Sequence, residues 1–141
     1  MANAVANHFK YLLATGVIDL ENDTFKIILM DTGYTFDKDD DEEYADVSAE
    51  ELANGNGYTV GGETLALDAV TEDDVDDRTE VTWDPVSWTA NGGVIGPTPG
   101  AIIYDDTVAG DPIAGYIDFG TEYTQADGGT ATLSSLELRI A

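Results

Sequence analysis

The side chains able to do chemistry in this sequence are almost all carboxylates: 29 Asp and Glu stand against five Lys and Arg, one His and no Cys. A hydrolase or transferase needs a nucleophile beside a base, a carboxylate pair in a cleft, or a metal cluster. Without cysteine there is no thiol nucleophile, no thiolate zinc site and no disulfide staple. His8, the sole histidine, lies in an N-terminal helical segment, where it reads as a helix-surface or interface residue. The glycine-rich stretches lack the strand, helix and lysine context of a dinucleotide or Walker-type loop. No catalytic residue and no cofactor is assigned.

Two acidic runs remain: Asp37, Asp39, Asp40, Asp41, Glu42 and Glu43, then Glu72, Asp73, Asp74, Asp76 and Asp77. Hard oxygen ligands suit divalent cations, so Asp37, Asp39, Asp41, Asp73, Asp74 and Asp76 are the candidate ligands for loosely bound divalent or monovalent cations. Neither run fits an EF-hand loop, because the acids are consecutive and the central glycine is missing; a solvated loop is the simpler reading of both. Trp83 and Trp88 suggest either a carbohydrate-stacking surface or two core residues flanking a bend at Pro85. Val5, Phe9, Leu12, Tyr104 and Tyr116 are the candidate interface residues, Tyr104 and Tyr116 being equally compatible with core rims.

The elements that position these residues follow from periodicity. Over residues 3–15, Val5, Phe9, Leu12 and Leu13 recur at helical spacing, with Asn3 as N-cap and Gly16 as C-cap. After a turn at Asn22 and Asp23, Phe25 to Met30 is apolar on both faces and predicts a central strand. Residues 32–63 form a polar, acidic excursion outside the body, in which Ser48 and Glu51 resemble a capping box for a short helix, SAEELA. Turn signals at short intervals then predict antiparallel strands: TLALDAV, TEVTWDPVSWTA broken at Pro85, AIIYDD after a GPTPG loop, PIAGYIDFG, and an alternating TLSSLELRIA. The expected fold is mainly β: an antiparallel β-sandwich or jelly-roll-like body in a single domain, 1–141. It carries an N-terminal helix within 1–16 and a short helix in the acidic excursion.

The formal net charge of -24, with a sequence pI near 4.1, disfavours direct nucleic-acid binding, since phosphate recognition needs a basic footprint. Hydrophobic residues make up 43% of the chain and mean hydropathy is -0.17, enough apolar material to fold, unlike a disordered acidic chain. No run reaches the length of a membrane span and the N-terminus lacks a basic start followed by a long apolar stretch. The expectation is synthesis in the cytoplasm with no membrane partner.

The stretches HFKYLLATGVIDLENDTFKIILMDTGYTFD, DVSAEELANGNGYTVGGETL and PIAGYIDFGTEYT resemble a group of small virion structural proteins of tailed viruses. The resemblance spans most of the chain except VSWTANGGVIGPTPG and the C-terminal end, and its motifs are structural rather than catalytic. It implies a non-enzymatic capsid decoration or cement protein on the outer capsid surface, bound to the major capsid protein shell and forming a homo-oligomer. A tail or neck component of the same particle and a carbohydrate-binding adhesion module are the alternatives. The acid excess is a departure from the group and fits a halophilic or marine host.

Self-repulsion weakens the compact state at low salt and is screened when the Debye length falls to about 3 Å near 1 M ionic strength. The melting temperature is therefore expected to rise as KCl or NaCl is increased in thermal melts. A flat profile contradicts salt adaptation.

Overall fold

The computed structural model describes residues 3–141. Within them the order is β1 (Ala4–Val5), α1 (Asn7–Ala14), β2 (Phe25–Leu29), α2 (Tyr44–Val47), a 3-10 turn (Ser48–Glu50), β3 (Glu63–Thr64), β4 (Leu67–Asp73), β5 (Arg78–Trp83), β6 (Val86–Thr89), β7 (Ile95–Asp105), β8 (Ile113–Gln125), β9 (Thr130–Leu133) and β10 (Leu136–Ile140). A five-stranded sheet runs β1-β8-β7-β2-β3, a three-stranded sheet runs β10-β5-β4, and β6 and β9 form a two-stranded ribbon. Every pairing is antiparallel. The result is the expected mainly-β, sandwich-like body with two helices.

The five-stranded sheet is apolar on both faces, so both must be covered. Directly opposed residues of antiparallel strands share a face. Phe25 and Ile27 therefore lie with Asp105 and Ile103 on one side, while Lys26 and Ile28 lie with Tyr104 and Ile102 on the other. The first face packs on α1 and on the three-stranded sheet: the Phe25 ring meets Phe9 edge-on at 6.3 Å and Trp83 at 5.6 Å. The second face is covered by the segment between β2 and β3. Tyr34 and Phe36 pack on Tyr116, and Tyr44 lies 5.1 Å from Tyr104. Residues 32–63 are thus a folded cover rather than an excursion outside the body. Val47, Leu52 and Tyr58 are buried in the same core as Ile102 and Ile113.

The N-terminal helix is shorter than the 3–15 expected, and the first two residues of the 1–16 span lie outside those described. Ala4 and Val5 pair with Tyr116 and Gly115 as an edge strand, because the open edge of β8 satisfies their backbone groups. Ala6 occupies the N-cap position. Asn3 is not a cap: its side chain donates to the Glu137 carbonyl (3.0 Å) and accepts from the Asp118 N–H (3.3 Å), tying β10 to β8. Gly16 does end the helix. At φ 75° it closes a Schellman motif, with the Gly16 N–H on the Leu13 carbonyl and the Val17 N–H on the Leu12 carbonyl.

Three further expectations are corrected. The short helix is Tyr44–Val47, closed by a reciprocal box of Glu43 and Asp46; the Ser48 segment is only a 3-10 turn, because Glu51 is drawn into the interior. GPTPG belongs to β7. Its prolines are tolerated because β2 ends opposite Ala101, which leaves this part of β7 an edge, and because its pairing with β8 is bulged there. TLSSLELRIA is two strands. Ser135 at φ 56° breaks the run, and the chain passes from the ribbon to the three-stranded sheet, the reverse of the crossing it makes at Pro85.

Where β1, β8 and β10 crowd together, the residue on β8 is Gly115. A Cβ there would sit 2.3 Å from the Ala4 carbonyl oxygen and 2.9 Å from a Leu138 methyl. Gly115→Ala is expected to lower stability by about 1–3 kcal/mol through overpacking, read as a shift of the urea midpoint with an unchanged m-value.

Candidate functional site

The structure places four of the five candidate interface residues inside the chain. Val5, Phe9, Tyr104 and Tyr116 are all less than a tenth exposed, so they offer no surface to a partner; burial on both faces of the five-stranded sheet accounts for it. Leu12 is half-buried against the core. The exposed apolar residues near it are Tyr11 and Val17. The Tyr11 ring stacks on His8 at 6.1 Å, which leaves His8 on the helix surface as expected. Trp83 and Trp88 are 4% and 2% exposed, so neither presents a stacking face for sugar.

The acidic runs are held by donors of the chain itself. Asp41 accepts the Tyr34 hydroxyl at 2.7 Å and the Asp37 N–H at 2.8 Å, Asp37 accepts the Asp39 N–H at 2.9 Å, and Asp39 accepts from Asn7 and Lys38. Asp73 caps the β4–β5 turn by accepting the Val75 and Asp76 N–H groups. Arg78 then gathers Asp73 at 3.2 Å, Asp76 at 3.3 Å and Glu80 at 2.6 Å, while Asp74 points to solvent. Hydrogen bonding to the charged form holds the Asp73 carboxyl below its usual range, the Asp76 N–H first among the causes. Among the described residues no group of three or more His, Cys, Asp or Glu is arranged to hold a metal ion.

The acid with the largest structural role is Glu51. Only 8% exposed, it accepts hydrogen bonds from the Tyr58 hydroxyl (2.6 Å), the Tyr44 hydroxyl and the Gly61 N–H (2.8 Å). Tyr58 in turn accepts the Leu29 N–H at 3.0 Å, so the network ties the cover to β2. Burial, followed by the bond to Glu51, pushes the Tyr58 and Tyr44 hydroxyls above their ordinary range, which keeps them protonated as donors. In the sequence Glu51 read as a helix-capping residue; nothing local marks it as the centre of this network.

At the far end of β8 the ribbon folds back over β7 and β8. Its outer face carries a hydroxyl ladder, Ser87 with Thr132 at 2.8 Å and Thr89 with Thr130 at 3.0 Å. Its inner face, with Trp88, Ala131 and Leu133, closes over Leu29, Ile95, Thr98 and Phe119 around an apolar cleft of about 170 Å³. The Trp88 Nε1 is buried without an acceptor.

Asp105 is fully buried at the end of β7, following the apolar run AIIY. One carboxylate oxygen accepts the Thr107 and Val108 N–H groups at 2.8 and 3.2 Å. The other has no donor among the described residues, and the Asp23 carboxyl lies beside the Asp105 carboxyl. That pairing is satisfied only when one of the two carries a proton. Burial first, and the Asp23 carboxyl second, push Asp105 up to about 6.

Comparison with protein-family models, with curated proteins and with solved structures finds no match for this chain.

The pH dependence follows from Asp105. Its folded pKa lies above the unfolded carboxylate value of about 3.9, so the folded state binds the extra proton and stability falls as pH rises from about 4 through about 6. Asp105→Asn supplies a permanent donor toward Asp23. It is expected to flatten that slope and to raise stability at pH 8 by roughly 1–3 kcal/mol, measured by urea unfolding at pH 4, 6 and 8. Loss of stability at all three values contradicts this assignment.

Proposed function

We propose that this chain is a non-enzymatic structural protein of a virus particle, a capsid decoration protein that binds the major capsid protein shell from outside. Its sequence resembles small virion proteins of tailed viruses, and the observation that carries a binding role is electrostatic. Residues 3–18 contain no Asp or Glu, include Lys10 and His8, and expose Tyr11 at 62% and Val17 at 48%. On a chain of net charge -24 this segment brings no carboxylate of its own to a protein partner, although Asp39 lies against Asn7 at its start, and an exposed tyrosine is a favoured anchor. Carboxylates elsewhere keep the outward surface hydrated. Repetition over many equivalent capsid sites lets modest contacts add.

Deleting the N-terminal segment does not test this face, because it removes β1 and the Phe9 core anchor. The double substitution Tyr11→Glu and Val17→Glu leaves both in place. It is expected to abolish co-sedimentation with empty capsids of the virus that carries this gene, while thermal melts stay within a few degrees of the parent protein. Quantitative mass spectrometry of purified virions is expected to give hundreds of copies per particle. A few copies would assign the chain to the tail or neck instead.

A further inference from the structure

The ribbon of β6 and β9 is a two-stranded sheet, so both of its outer edges lack a neighbouring strand. Proteins blunt exposed edges with charge, proline or very short strands. The other edges here follow that rule: β1 and β3 are two residues long, β4 carries Asp68, Glu72 and Asp73, and β10 carries Glu137 and Arg139. Val86–Thr89 and Thr130–Leu133 carry no charge. Nor do the segments around them, for residues 52–62, 85–104 and 128–136 contain no Asp, Glu, Lys or Arg. These segments meet in space, through Asn91 on the Asn56 carbonyl, Asn56 on the Val94 carbonyl, and Tyr58 against Trp88. One end of a chain of charge -24 is therefore poor in charge, Asp127 on the Gly92 N–H being an acid within it, and it exposes Val60, Val94 and Tyr123.

The hydrogen-bond phase of the ribbon shows which groups face outward. The Ala90 N–H donates to the Gly129 carbonyl, and bonded and non-bonded pairs alternate along an antiparallel ladder. Trp88 with Ala131 and Val86 with Leu133 are therefore the bonded pairs. The N–H and C=O groups of Thr130 and Thr132 point away from β6. On the β6 edge the backbone of Gly57 crowds the Thr89 carbonyl, where a Cβ would come within 2.0 Å; the β9 edge has no such cover, and Thr130 and Thr132 are exposed.

We propose that β9 is a self-association edge. Two copies pair antiparallel about a two-fold axis at Ala131, the N–H and C=O of Thr130 meeting those of Thr132 of the second copy, to make a four-stranded β6-β9-β9-β6 sheet. A second copy is the occupant that the charge distribution selects. Two chains of this charge repel through every acidic face, whereas the charge-poor end lets their backbones meet with few carboxylates brought together. Isologous pairing also closes the edge on itself instead of propagating a fibre. This specifies the self-association that belongs to the proposed virion role and places it at the opposite end of β8 from the capsid-binding face.

The test is the mass of the full chain by sedimentation velocity at about 0.1 M and about 2 M NaCl, where screening differs strongly. The dimer is expected at high salt and is expected to weaken at low salt. Thr132→Pro removes one outward N–H and leaves the β6–β9 ladder intact; it is expected to be monomeric at high salt with an unchanged circular dichroism spectrum. Should that variant fail to fold, Thr130→Glu keeps the backbone and sets like charges across the pairing. It is expected to raise the dimer Kd at least about tenfold. A parent protein that stays monomeric at high salt, or folded variants that dimerise as it does, overturns the proposal. A monomer that still coats capsids overturns this edge alone and leaves the virion reading standing.

Discussion

The constraint on which this structure depends is that 29 carboxylates share five cationic side chains, so almost every acid must find its partner among N–H and O–H donors. A carboxylate that accepts backbone N–H bonds is stabilised without a counter-charge. The chain uses this throughout: Asp19, Asp37, Asp73 and Asp118 each close a turn by accepting N–H groups two or three residues ahead. Acids in these positions set local geometry while their remaining lone pairs face water. Arg78, bonded to three acids on and beside one hairpin, is a place where a cation does the work instead.

The same constraint explains how the second face of the central sheet is sealed. A polar segment rich in Asp and Glu makes a poor cover by itself. It succeeds because its aromatics point inward and its acids receive the hydroxyl ends of those aromatics. Tyr34 donates to Asp41, and Tyr44 and Tyr58 donate to Glu51. Each ring buries apolar area against the sheet while its hydroxyl satisfies a carboxylate that would otherwise be costly to bury. Asp105 is the exception. One of its oxygens has no donor among the described residues, and its carboxyl neighbours that of Asp23, so it stands where protonation and stability are coupled.

Charge also organises the surface. Acids are sparse in the N-terminal helix region and at the ribbon end, where Asp39 and Asp127 contact Asn7 and Gly92, and dense over the β2–β3 cover and the β4–β5 hairpin. The repulsion among the dense regions is sensitive to ionic strength.

Much of the local structure was legible in the residues themselves. Two-face apolarity marked Phe25 to Met30 as an interior strand, Gly16 marked the end of the helix, and Pro85 marked the bend between β5 and β6, because each signal is a property of one residue or of a short period. What the tertiary structure alone decided are outcomes that depend on distant partners. Ala4 and Val5 became a strand because β8 offered an open edge. Val5, Phe9, Tyr104 and Tyr116 went inward because both faces of the sheet are covered. Asp105 acquired its role beside Asp23, distant in sequence, and Glu51 from Tyr44 and Tyr58, which the fold brings to it from either side in the chain. An unpaired, charge-free β9 edge exists only once it is known which strands lack a neighbour. The sequence by itself determined a β-rich, acidic chain poor in catalytic groups; the packing decided which of its acids, aromatics and edges are hidden and which remain available.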